Sequence, residues 1–114
     1  MAGSSGSYRL RPRSEADLEE IWLFSREQWS TEQADSYHRD IMAAIEGLAA
    51  GTKAGRSVDL REGYLKYPAG SHVIYFVPTE SGIDVVRILH SRMDVNRHVL
   101  QPLQSGRTRT RGAA

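Results

Sequence analysis

The apolar positions of this chain change their period twice. Residues 8–11 alternate as a short strand would, and Pro12 closes it. From Ser14 the spacing becomes helical: Leu18, Ile21, Trp22, Ser25 and Trp29 recur on one face of a 3.6-residue repeat. Ser14 with Asp17 three residues on reads as an N-terminal cap. The acids at Glu15, Asp17, Glu19 and Glu20 favour the positive end of the helix dipole. The stripe reads as a core-facing side rather than an aromatic ligand box. A second capping signature, Ser30-Thr-Glu-Gln33, restarts the pattern, and Ala34, Tyr37, Ile41, Ala44, Ile45 and Leu48 carry it to Gly51. Two helices with almost no linker form a hairpin. Each has a single apolar face, so the pair must lie on a sheet or another helix to be stable.

Residues 51–63 are polar and contain glycine, a loop in which Gly55-Arg56 and Leu60-Arg61 stand out. The period then falls to two, predicting strands over residues 63–67, 71–77 and 83–90. Pro68-Ala-Gly-Ser and Pro78-Thr-Glu-Ser-Gly separate them, and connections this short imply consecutive antiparallel hairpins. In the last strand strict alternation puts Val86, Ile88 and His90 on one side and Val85, Arg87 and Leu89 on the other. Arg87, inside an apolar run, needs water, a partner or a substrate. Asp94 caps a short helix through residue 100, ended by Gln101-Pro102. Residues 101–114, with Arg107, Arg109 and Arg111 and little apolar support, are expected to be a disordered basic tail. Residues 1–7 read as a flexible start, leaving one domain over residues 8–100.

Charge adds a segregation that the net value of +1 hides. Residues 14–49 hold nine acids and two bases, whereas residues 50–114 hold ten bases and five acids. An acidic helical side and a basic strand side follow. There is no cysteine, which removes disulfides and thiolate chemistry and fits a cytoplasmic protein. No apolar run is long enough to span a bilayer.

The order strand, helix, helix, strand, strand, strand and terminal helix is that of a known family. So are four segments in sequence: Ala16-Asp17-Leu18-Glu19-Glu20-Ile21-Trp22, the Gly55-Arg56 loop, His72-Val73-Ile74-Tyr75-Phe76, and Arg87-Ile88-Leu89-His90-Ser91-Arg92-Met93-Asp94. Together they resemble the ParE branch of the RelE/ParE superfamily of type II toxin–antitoxin systems. The resemblance implies an α+β fold, with the helical hairpin packed on a small, largely antiparallel sheet. It also implies a toxin that inhibits DNA gyrase by binding and is neutralised by a ParD-type antitoxin in a hetero-oligomer such as a heterotetramer. No cofactor is implied.

The competing activity in the superfamily is ribosome-dependent cleavage of messenger RNA. RelE-type nucleases supply cations on the sheet face and a C-terminal tyrosine that moves protons. Here Arg87, with Lys66 or Arg61, would provide the cations, but the aromatic position reads Met93, and a thioether transfers no proton, which leaves only His90 or His98 as substitutes. A non-toxic binding module of the same fold is the third reading. Direct nucleic-acid binding by the chain alone is not expected, because its bases lack interleaved aromatics. His90, Asp94 and His98 have metal-ligand chemistry without a shared face, so no metal is expected. The candidate antitoxin-binding residues are Tyr64, Lys66, Tyr75, Arg87 and Leu89 on an exposed sheet face, together with an apolar groove beside the hairpin. The candidate target-binding residues are Arg87, His90, Arg92 and Arg97. Arg56 and Arg61 either tie the loop to helix carboxylates or contribute to recognition.

Overall fold

A computed structural model describes residues 6–58 and 62–92. Within these residues five strands and two helices run in the order β1 (Ser7–Leu10), α1 (Pro12–Gln28), α2 (Thr31–Ala50), β2 (Arg56–Ser57), β3 (Leu65–Ala69), β4 (His72–Pro78) and β5 (Gly82–His90). The sheet order is β1-β5-β4-β3-β2, antiparallel except where β1 runs parallel to β5. The helical hairpin covers one face, where Leu18, Ile21, Ile41, Ile45 and Leu48 meet Ile74, Phe76, Ile83, Val85 and Ile88. Val58, Tyr64, Tyr75, Val86 and Leu89 form a second cluster. The α+β class and the largely antiparallel sheet expected from the sequence are therefore present. The terminal helix and the tail lie outside the described residues.

Local chemistry explains where the elements begin and end, and where the expectations slip. Pro12 opens α1 rather than closing a strand, because its missing N–H falls where a helix has no acceptor to offer. Arg11 is then the N-cap, and Ser14 lies inside the first turn. Its buried hydroxyl donates to the Arg11 carbonyl at 2.8 Å. The second cap is as expected: Ser30 Oγ accepts from Gln33 N at 3.0 Å, and Gly51, at φ +85°, closes α2 in the left-handed region. Trp29 leaves the predicted stripe. It follows the last helical residue with non-helical backbone angles, so its side chain is 66% exposed.

In the sheet, β3 starts later than expected and runs through Pro68 to Ala69. The short β2 pairs only with Leu65 and Lys66, so Pro68 lies where β3 has no outer neighbour in the sheet and needs no ladder N–H there. A two-residue turn, Gly70-Ser71, then joins Ala69 to its partner His72. Gly70 sits at φ +62°, and a Cβ there would fall 2.5 Å from the Tyr37 ring. The strand β2 itself was unforeseen within the loop.

The largest departure is in β5. Tyr75 pairs with Arg87 but Phe76 pairs with Val85, leaving Val86 as an extra residue in a β-bulge. Strict alternation fails there. Val85 and Ile88 share the helix-facing core, while Val86 and Leu89 share the opposite cluster.

Candidate functional site

Where β1 stops, the second half of β5 loses its neighbour and α1 comes alongside. Asp17 fills that gap. Its carboxylate accepts from Arg87 Nε at 2.8 Å, from Arg87 Nη2 at 2.9 Å and from the Ile88 backbone N–H at 2.9 Å. Asp17 thus holds an edge amide of the strand and a guanidinium together, in the two-pronged geometry that carboxylates and arginines form best. Both side chains are largely buried, 11% and 13% exposed. The hydrogen bonds that Arg87 donates to Asp17 hold its proton more tightly than usual, outweighing the opposing effect of burial. The partner that Arg87 requires is therefore internal, and this cation does not stand open on a sheet face.

Beside this pair lies a groove between α1 and the end of β5. Ile21, Ile88 and Leu89 contribute apolar surface, Phe24 lines one side at 59% exposure, and Glu20, His72 and His90 add polar groups. The groove beside the hairpin therefore carries apolar surface bordered by charged and polar groups. Phe24 was missed, since it falls off the buried stripe and sequence alone gives no reason for a phenylalanine to remain exposed.

His72 and His90 face each other across β4 and β5, their rings edge to face with centroids 5.3 Å apart. Tyr37 of α2 secures the pair. Its hydroxyl lies 2.7 Å from His72 Nδ1, 3.2 Å from the Ala69 carbonyl and 2.9 Å from Ser71 N. One phenol proton satisfies all three contacts only if it is donated to Ala69 O while Ser71 N–H and His72 Nδ1–H donate to the oxygen. This places a proton on Nδ1 of His72. In His90 that nitrogen is bare, because its Nδ1 accepts from Arg92 N at 3.1 Å. Burial, then the neighbouring His90, lower the pKa of His72, with Asp17 opposing.

The sheet residues singled out in the sequence divide sharply. Tyr64, Tyr75 and Leu89 were expected on an exposed face, but they are buried in the second cluster, and burial raises the Tyr75 pKa. Lys66 and Arg92 are exposed, and His90 is half-buried. Arg97, Arg61, Met93, Asp94 and His98 lie outside the described residues. Among the described residues no cluster of acids and histidines could hold a metal ion. No described helix is long and apolar enough to cross a membrane.

Residues 8–95 match the model of the ParE toxin of type II toxin–antitoxin system, parDE. The chain belongs to the ParE toxin family. Toxin ParE1 of Mycobacterium tuberculosis (strain CDC 1551 / Oshkosh) is 45% identical over 97 residues, spanning 83% of this chain and 99% of the relative. Toxin ParE1 of Caulobacter vibrioides is 37% identical over 93 residues, spanning 81% and 96%. Among solved structures, one titled "Chromosomal ParDE TA system from P. aeruginosa" superposes with a TM-score of 0.65 at 21% identity. It covers 76% of this chain and 97% of that one, and at such identity it supports the fold alone. The ParE match includes α1 and β5, so the Asp17–Arg87 contact lies within the family domain.

Proposed function

We propose that this ParE-family toxin acts by binding rather than by catalysis: it inhibits DNA gyrase and is held silent by a ParD-type antitoxin seated partly in the groove between α1 and β5. The observation that carries the reading is Phe24, a large aromatic left 59% exposed beside an apolar surface. Such a site suits the apolar face of an amphipathic segment that folds as it binds. Exposed Arg92 lies just past the end of β5, where an acidic side chain of that segment would find a cation. Nuclease chemistry is the weaker reading. The guanidinium of Arg87 is already engaged by Asp17, which opposes its use on a phosphate.

Purified toxin added to gyrase supercoiling and cleavage reactions tests the target. Inhibited supercoiling with accumulated broken DNA is expected. Full supercoiling together with cleavage of ribosome-bound messenger RNA would overturn the proposal. Antitoxin partnership is tested by co-purification with the product of the adjacent reading frame.

A further inference from the structure

Gly55 passes close over β3. A Cβ there would meet the Phe76 ring at 2.6 Å and the Lys66 carbonyl at 2.9 Å, so only a glycine lets the chain approach closely enough to pair. The next residue, Arg56, is thereby set directly opposite Lys66 in an antiparallel register. Lys66 in turn pairs with Tyr75, a member of the second cluster, so the two cations extend a row across the face away from the helices. Like charges facing each other across a sheet are unfavourable. Neither side chain has an ion-pair partner among the described residues, and both are exposed. Lys53 is not part of the arrangement, because its ammonium lies over the Tyr67 ring, which packs on the helix-facing core.

We propose that Arg56 and Lys66 form a clamp for carboxylates of an acidic peptide segment, and that this segment belongs to the antitoxin. The inference rests on the antitoxin reading above and adds a second, electrostatic contact remote from the Phe24 groove. A carboxylate between the two cations relieves their repulsion, and arginine presents the fork that carboxylates match. The surroundings favour a peptide over nucleic acid. A duplex backbone needs a tract of cations. Among the described residues two cations border an apolar cluster here, and Glu62 is exposed in the preceding loop. Antitoxin segments that order on binding wrap broad surfaces, so two separate contacts are compatible with one partner.

The full-length toxin, its Lys66→Glu variant and the Arg56→Glu/Lys66→Glu double variant are compared for binding to the antitoxin product of the adjacent reading frame and to a duplex DNA oligonucleotide. Lys66→Glu is expected to raise the melting temperature of the free toxin, because it turns a repulsive cross-strand pair into an attractive one. The double variant is expected to bind the antitoxin at least tenfold more weakly, mostly through slower association, with Phe24→Ala leaving the salt dependence of binding unchanged. Equal antitoxin affinity for wild type and double variant overturns the clamp while leaving the antitoxin reading standing. Absence of binding by the wild type overturns both. Loss of DNA binding with unchanged antitoxin binding assigns the cations to nucleic acid and refutes the proposal.

Discussion

Asp17 shows how one side chain can serve strand, helix and charge at once. It is an acid on the buried stripe of α1, three residues after Ser14 and four before Ile21, and it is satisfied there by a guanidinium and a backbone amide. Removing one partner of such a pair strands the other in a poorly hydrated site. Asp17→Asn is therefore expected to lower unfolding free energy by about 3–5 kcal/mol, read from urea denaturation. His72 gives a second prediction at this scale. Its folded pKa lies below the ordinary histidine value of about 6.5, so the unfolded chain takes up the proton first as the solution is acidified. Its contribution is intact above that pH and is lost as pH falls toward the folded pKa. Melting curves between pH 7.5 and 5.5 should show this loss in the wild type, with a smaller decline in His72→Asn, whose amide keeps a donor toward Tyr37.

At the scale of elements, helical periods and caps were the most legible features. Ala34, Ile41, Ala44, Ile45 and Leu48 are buried as their spacing requires, and Ser30 caps α2. Boundaries at prolines were less legible, because Pro12 and Pro68 have two meanings each and neighbouring structure decides between them. Pro68 looks like a stop until β2 is seen to end short of it. The tight Gly70-Ser71 turn packs on Tyr37, so Gly70→Ala meets both a left-handed backbone and an occupied space. A loss of about 1–2 kcal/mol or more in chemical denaturation is expected. The groove formed by α1 and β5 carries its own prediction. Phe24→Asp should leave the melting temperature of the free toxin almost unchanged, since this side chain is mostly in solvent, while weakening antitoxin binding by at least about tenfold in calorimetry.

For the whole molecule, charge segregation and the order of the main elements were readable, whereas the state of individual charges was not. The acid-rich hairpin and base-rich sheet are fixed by composition, yet Arg87 and Asp17 cancel each other across that divide, and Arg9 and Arg11 both approach Asp84. No sequence spacing joins positions so far apart, and only the fold brings them together. The exposed cations that remain include Arg56, Lys66 and Arg92. Association with an acidic antitoxin should accordingly slow by about tenfold between low and high salt in stopped-flow measurements, with a smaller change in dissociation.

The extra residue in β5 has an evolutionary corollary. Excising Val86 would leave the pairings of Val85 with Phe76 and of Arg87 with Tyr75 in phase, so the ladder could close without turning any later side chain over. Arg87 would remain opposite Tyr75, as it is now. A one-codon deletion, ordinarily ruinous in the middle of a sheet, would here spare the register and cost the second cluster a single apolar side chain.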